Sequence, residues 1–524
     1  MVGFHPRKGR DVRLDLVAAF ACFRVPGPAG GRTQGTGRLR LPHRRKNPRF
    51  LGTGRGVGPS ARTGRLGWRG GGARWGRGDP PRRHHASCPP QRHRTGGSSL
   101  WRVSRCCDRR PTLVPLAVSD RNHDFPHSLR GSMPHCVVVL KKNEERRALA
   151  GHPWVFSNEI ETSLKELSPG ALVTVRSSQG KVLGSATCNP HSLIALRFFD
   201  RRPNIELDTT QFQTRIRRAY ELRHRLFPDP YYRLVFAEGD ELPGLVIDRY
   251  GEVFVIQCHT AAMDAREGQI IEALKLLFPV EGILVKNTAQ VRELEQLPRE
   301  ERIAFGHVPE VVDLIENGVG LRTRLIGGQK TGYFYDHREN RARAALLARG
   351  RKTIDLFAYV GSFGIQAAVR GAAHVTLVDA SREACDLIED NARINTVSDR
   401  VEVVAEDAFA YLERCRDEGR KFGTVLVDPP AFIKNRKNMK EGIEGYRRLN
   451  RLAMQVVEED GFLVTSSCSY HMDPQTFRRT VQAAARDAHR RLQILGQGHQ
   501  GPDHPTLPAM SEGDYLKTLF CRVL

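Results

Sequence analysis

Apolar runs and polar breaks give the chain several textures. In residues 133–205 short apolar runs at 137–140, 173–175, 181–183 and 193–198 alternate with Gly, Ser, Asn and Pro turns. Short strands at that spacing predict a small β-barrel. Between 206 and 325 the periods mix. Residues 209–227 and 265–277 have helical spacing, while 245–247, 254–257 and 282–285 read as strands. This predicts a separate α+β unit, in which Glu238 and Asp240 read as turn formers. From 326 onward a glycine-flanked, aromatic loop at 328–338 precedes a helix over 338–347. A strand at 353–357 then meets a loop with Gly361 and Gly364. A helix carrying Ile365, Ala368 and Val369 follows, and a strand at 375–378 ends on Asp379. Further strands at 401–404, 424–427 and 461–465 complete a doubly wound α/β pattern.

The residues that follow these strands carry the chemistry. Open α/β sheets bind ligands at the carboxyl ends of their strands. Here those ends hold Asp379, Asp407, Asp428-Pro429-Pro430-Ala431-Phe432 and Ser466-Ser467-Cys468-Ser469. Glycines at 361 and 364 let a ligand approach the backbone, and the helix start offers unpaired N–H groups. An acid ending the second strand suits the two hydroxyls of a ribose. The bland alternative is a structural βαβ unit, since the spacing is not GxGxxG. The recurrence of polar residues at successive strand ends argues against it. The apolar strand 353–357 also contains one acid, Asp355.

Charge changes the picture only at the amino end. The formal net charge is +24, but residues 1–132 carry 28 of the 82 Lys and Arg and 6 of the 58 Asp and Glu. The remainder is left with 54 basic and 52 acidic residues, so an RNA-binding face there is a local patch. Residues 1–132 are rich in Arg, Gly and Pro and show no sustained apolar period. Three readings compete: a disordered arm that contacts phosphates, an Arg-rich transit segment, or GC-rich leader sequence not naturally translated, with Met133 as the start. The third is preferred. Eleven scattered cysteines contain no CxxC pair, which disfavours zinc and disulfides and suits a reducing, cytoplasmic setting. No run of about eighteen apolar residues predicts a membrane span.

Six stretches together resemble one family: HPWVFSNEI, EGDELPGLVIDRYG, GQKTGYFYDHRENR, DLFAYVGSFG, DPPAF and SSCSYHM. The chain from 133 resembles the ribosomal large-subunit RNA cytosine-5 methyltransferases with an N-terminal PUA domain. The resemblance implies a PUA domain at 133–205 and a central α+β domain at 206–325. It implies a class I methyltransferase domain at 326–524, with a Rossmann-like seven-stranded sheet. The implied cofactor is S-adenosyl-L-methionine, the implied partner is 23S-type ribosomal RNA, and a homodimer is compatible with the family. Neither a membrane nor a metal is implied. The methionine part of the cofactor would lie near Phe357, Tyr359 and Gly361, beside Asp355 and Asp428. Asp379 would hold the ribose and Asp407 the adenine amino group. Gln329, Lys330, Thr331 and Asp336 would form a closing loop. Trp154 and Phe432 are candidate stacking surfaces for bases, although core packing is the commoner fate of such rings.

The reaction can be matched to side chains. C5 of cytosine is a poor nucleophile until a thiolate adds to C6. Cys468, at the end of the fifth strand, is the candidate thiolate; an ordinary buried cysteine is the competing reading. Asp428 would hold the amino or N3 edge of the base, against the reading of a mere strand-end turn. Some relatives carry a second cysteine just after the proline of the Asp-Pro-Pro motif. Here Ala431 follows, so the base that takes the C5 proton is left to water at Asp428 or to His471. Three other readings compete: methylation of a purine nitrogen without a covalent adduct, an inactive RNA-binding module, and a small-molecule methyltransferase. Cys468, the intact acid set and the domain at 133–205 respectively count against them.

Overall fold

The computed structural model describes residues 135–524. The expectations for residues 1–132 and for Met133 lie outside the described residues.

The first sheet joins β1 (Cys136–Val139), β2 (Trp154–Val155), β3 (Ala171–Arg176), β4 (Val182–Cys188) and β5 (Leu196–Asp200) in the order β1-β3-β4-β5-β2. All pairings are antiparallel except β1 with β3. Its inward residues, among them Val138, Val173, Val175, Ala186 and Leu196, form one small core.

Helix α1 (Thr209–Leu226) opens the next unit, with Asp208 accepting from the Gln211 N–H at its start. β6 (Tyr231–Phe236), β7 (Leu245–Tyr250), β8 (Val253–Cys258), β9 (Gly282–Asn287) and β10 (Glu300–Gly306) form a second sheet in the order β10-β9-β8-β7-β6. β8 and β9 are parallel, and α2 (Glu267–Leu277) crosses between them. Helix α1 packs on α2, which covers one face of this sheet with Phe212, Ile216, Ile270 and Leu274.

Arg197 locks the first two units together. On β5, it meets Glu238 at 3.1 Å and Glu295 at 3.4 Å, with all three side chains at most 7% exposed. Trp154 lies under the same guanidinium and donates from Nε1 to Glu238 at 2.7 Å. Glu238 sits in the short turn Ala237–Asp240, as expected, and its side chain is in addition an interdomain ion partner. Asp240 likewise pairs through both oxygens with Arg223, at 2.6 and 2.7 Å. Arg223 also donates to the Asp503 carbonyl at 2.8 Å, tying this unit to the C-terminal loop.

The hairpin β11 (Val311–Glu316) and β12 (Val319–Arg324) falls before the expected boundary at 326, yet it packs on the C-terminal unit. Leu314, Val319 and Leu321 share a core with Val360, Ile365, Leu377 and Ile388. Asn391 clamps the hairpin from the far side, accepting from Arg322 N at 2.6 Å and donating to its carbonyl at 3.2 Å.

The last sheet has seven strands: β13 (Lys352–Leu356), β14 (His374–Asp379), β15 (Val401–Ala405), β16 (Phe422–Val427), β17 (Val457–Ser467), β18 (Leu492–Gly498) and β19 (Lys517–Val523). Their order is β15-β14-β13-β16-β17-β19-β18, with β19 antiparallel to both neighbours. Helices α3 (Arg338–Ala348), α4 (Ser362–Val369), α5 (Arg382–Ile394), α6 (Ala408–Asp417), α7 (Met439–Val456) and α8 (Pro474–Asp487) connect the strands. Side-chain caps start three of them: Ser381 for α5, Asp407 for α6 and Asp473, ahead of Pro474, for α8. The doubly wound expectation holds. The order reverses at β13, so a cleft opens beside that strand's carboxyl end.

Replacing Arg197 by Met is expected to destabilise the protein by about 3–5 kcal/mol, because two carboxylates lose their buried cation. A lowered urea midpoint at neutral pH is the measurement that checks this.

Candidate active site

Strand register places the candidate residues side by side. Leu356 pairs with Val378 on one side and Val427 on the other. The next residues, Phe357, Asp379 and Asp428, therefore share the carboxyl edge. Val427 also pairs with Thr465, so Cys468 stands three residues past that register on the adjoining strand end. Asp407 caps α6 beyond β15, one strand further out.

Between β13 and α4 the backbone is strained. Phe357 and Tyr359 have φ of +61° and +54°, values that bulky residues seldom adopt. Gly361, at φ +76°, is wedged against Leu377, Ile365 and Ile388; a Cβ there would come within 2.9 Å of Leu377. Two acids hold the loop in shape. Asp379 accepts from Tyr359 N at 2.8 Å and from Ser381 N at 2.9 Å. Asp355 is buried beneath the loop and accepts from Gly364 N at 2.8 Å. Burial pushes the Asp355 carboxyl up to about 7; the Gly364 N–H opposes the rise and the nearby Asp428 charge adds to it. Asp355 thus shapes the loop from below.

The loop of residues 328–337 closes over this edge. Lys330 has φ +46° and sets its ammonium over the Phe334 ring. Gln329 turns the chain, its carbonyl accepting from Gly332 N at 2.9 Å. Tyr359 reaches across to donate to the Gly332 carbonyl at 2.6 Å. Glu316, fully buried, anchors the loop from the hairpin: it accepts from Tyr333 at 2.9 Å, Arg341 at 2.8 Å and Gln366 at 2.9 Å. Asp336 accepts from the Tyr515 hydroxyl at 2.7 Å. Burial would raise its pKa, but His337, His504, Lys330 and that hydroxyl outweigh it and hold the carboxylate ionised. Oδ1 of Asp336 and Oγ1 of Thr331 are buried without a hydrogen-bond partner.

Cys468 is 5% exposed, in a cluster with Ala431, Tyr515 and Leu516. Ser469 after it is held by Tyr446 at 2.9 Å and by Ile433 N at 3.2 Å. Burial raises the Tyr446 pKa and the neighbouring Cys468 adds to it. The buried ammonium of Lys517 donates to the carbonyls of Ser469 and Tyr515, at 2.7 and 2.8 Å. These two bonds fix the backbone just after the thiol. Asp428 is 6% exposed and stands 3.2 Å from Nε2 of the buried His337.

The two candidate stacking rings fare differently. Trp154 is 1% exposed and committed to Glu238 and Arg197, so it presents no face to a base. Phe432 is half-buried in a file of rings running from Phe357 through Phe409 to Tyr446. Sequence reasoning missed His337, Tyr515 and Lys517. His337 lay in a quoted motif without a role, and no local pattern singled out the other two. Among the described residues no helix is long and apolar enough to cross a membrane. No group of three or more His, Cys, Asp or Glu among them could hold a metal ion.

Two family models match the chain: a PUA-like domain over residues 138–201 and an S-adenosylmethionine-dependent methyltransferase over residues 301–520. The fold and site are those of an S-adenosylmethionine-dependent methyltransferase that carries a PUA-like domain. The second match includes the hairpin, in line with its packing. Ribosomal RNA large subunit methyltransferase I of Pseudoalteromonas atlantica is 37% identical over 391 residues, which cover 74% of this chain and 99% of that protein. The Erwinia tasmaniensis protein of the same name is 34% identical over 392 residues, with 74% and 99% coverage. A methyltransferase structure solved with S-adenosylhomocysteine superposes with a TM-score of 0.65 at 21% identity, over 74% of this chain and all of the other. At that identity the likeness is one of fold. The chain belongs to the ribosomal RNA large subunit methyltransferase I family.

The site suits the cofactor of that family. Buried acceptors at Thr331 and Asp336, a glycine that admits no Cβ and acids at successive strand ends match a cationic, ribose-bearing ligand.

The elevated pKa of Asp355 has a consequence for stability. Its folded value, about 7, lies above the ordinary 3.8. Between those values the native state keeps a proton that the unfolded state has lost, so this group's contribution to stability falls as pH rises through the window. Asp355→Asn is expected to lose less stability than the native protein between pH 5 and pH 8. Urea midpoints at the two pH values check the sign.

Proposed function

We propose that this protein methylates C5 of a cytosine in large-subunit ribosomal RNA, in the cytoplasm, through a transient bond from Cys468 to C6. The observation that carries the reading is the placement of Cys468. Its thiol lies at the carboxyl edge, on the strand beside the one that ends in Asp428, with a buried ammonium at the next residue. Methylation of a purine nitrogen has no use for such a thiol.

The division of labour follows from position. Asp379 holds the ribose hydroxyls and Asp407 the adenine amino group. Thr331 and Asp336 reach the cofactor from the closing loop, and Phe357, Tyr359 and Gly361 present backbone to its amino-acid end. When bound, S-adenosylmethionine supplies a methyl group on a positively charged sulfur. Cys468 adds its thiolate to C6, which makes C5 the nucleophile. Asp428 holds the amino and N3 edge and stabilises the charge that develops there. After the methyl carbon joins C5, a water at Asp428 takes the C5 proton. The C5–H electron pair re-forms the ring double bond, and the C6–S bond breaks to return the thiolate. Ala431, where some relatives have a second cysteine, leaves product release to this elimination.

Two outcomes are expected. Asp379→Asn weakens cofactor binding about 10- to 100-fold, read by calorimetry with S-adenosylmethionine. Cys468→Ala lowers methyl transfer more than about a thousandfold and abolishes the covalent complex with 5-fluorocytosine RNA. Transfer to a purine that survives the cysteine change would replace this reading with the non-covalent one.

A further inference from the structure

We propose that residues 434–440, the loop that follows the Asp-Pro-Pro motif, grip backbone phosphates of the RNA strand that carries the target nucleotide. The inference rests on the RNA substrate of the proposed function and not on the chemistry at C5.

The loop is cationic and held in shape. Lys434, Arg436, Lys437 and Lys440 follow one another closely, and all four side chains are exposed. The three lysines have no carboxylate partner among the described residues. Glu441 and Glu444, the acids that come next, are engaged by Asn438 at 3.1 Å and by Arg447 at 3.4 Å. Other arginine-rich stretches are spent inside the protein: Arg215 and Arg223 of α1 pair with Asp200 and Asp240, and Arg341 of α3 pairs with Glu316. The loop is pinned at both ends. Ile433 N donates to Ser469 Oγ at 3.2 Å, and a Cβ on Gly442 would fall 2.4 Å from Ile433 Cγ1, so the first turn of α7 lies directly on residue 433. Between them Asn435 accepts from Asn438 N at 3.1 Å, which closes the turn Arg436–Asn438. A loop already held gives up little freedom when it binds.

Position sets what the loop can meet. The proposed cofactor site spans the ends of β13, β14 and β15, whereas this loop leaves β16 and is stapled to Ser469, the residue after Cys468. Burial and the Glu512 charge raise the Tyr470 pKa and the Arg436 charge opposes them, which puts Arg436 close to Tyr470. Tyr470 in turn packs against a cluster of Trp154, Phe156 and Ile194 from the PUA-like unit with Met510. The cations thus stand between that unit and the thiol. A nucleotide brought to Cys468 carries a phosphate on each side. Lysine meets phosphate as a point charge and positions the strand without reading its bases. The near balance of charge over 133–524 requires an RNA-binding face to be a local patch, and this loop is such a patch at the rim of the proposed site.

The test uses the full chain with large-subunit ribosomal RNA and S-adenosylmethionine. A variant combining Lys434→Gln, Lys437→Gln and Lys440→Gln is expected to bind the RNA about 10- to 100-fold more weakly at about 0.15 M salt. Its plot of log Kd against log salt should be shallower by about 2, since each single-strand phosphate contact contributes about 0.7 to that slope. Its kcat at saturating RNA and its cofactor affinity by calorimetry should stay at the native values. The same three positions changed to Arg keep the charge and should keep the native affinity. Should the triple variant fail to fold, Lys437→Glu alone should move the salt slope the same way. In ribose footprints, the protection that the glutamine variant loses should flank the methylated nucleotide. Native affinity and slope in the glutamine variant, an arginine variant as weak as the glutamine one, or protection lost only in a distant part of the RNA would overturn the inference. The two readings fail separately. A glutamine variant that binds as the native protein does while the native product is 5-methylcytosine removes this inference alone. A native protein that neither binds nor methylates ribosomal RNA removes the proposed function and this inference with it.

Discussion

The site depends on one buried carboxylate. Glu316 lies at the end of a hairpin strand, wholly shielded from water, and accepts from Tyr333, Arg341 and Gln366. Those partners belong to the closing loop, to the helix before β13 and to the helix after the glycine turn. A buried charge is tolerated only when its lone pairs are used. Satisfying Glu316 therefore fixes the relative positions of the three segments that frame the proposed cofactor site. The hairpin was not picked out by the apolar pattern, yet Glu316 on it ties these three segments together.

The regularity of the parallel sheet made the catalytic domain easy to read. Strands covered on both faces are continuous apolar runs, so 353–357, 375–378, 424–427 and 461–465 stood out, while the edge strand at 401–404 was legible from its valines. Their terminal residues could be named because chain direction alone places them at one edge. β18 was harder to see, since an edge strand half open to water and interrupted by glycine has no such run. Other features depended on pairings across long separations. Trp154 was a candidate stacking surface, but Glu238, 84 residues away, takes its N–H and buries it. Asp240 is the turn residue it reads as, but its pairing with Arg223 is not visible in sequence. His337 meets Asp428 only in the fold, one ending the turn before α3 and the other following β16. Local pattern reports burial and period; it does not report which charge will find which.

The same long-range pairings bear on how the PUA-like unit is held. Arg197, bridging Glu238 and Glu295 with Trp154 beneath it, is a buried junction with directional bonds. A buried, bonded junction favours one relative placement, unlike the mobile interface that is the default between domains. RNA gripped by the first unit would meet the catalytic edge at a set distance and angle, which suits a substrate recognised by shape.

The reversed direction of β19 has a temporal meaning. Running antiparallel, it brings its first residues to the edge where its neighbours end, which is how Tyr515 and Lys517 come to support the loop around Cys468. Translation proceeds from the amino end, so the thiol leaves the ribosome before the strand that steadies it. The loop around Cys468 therefore gains its last supports only when β19 lies between β17 and β18.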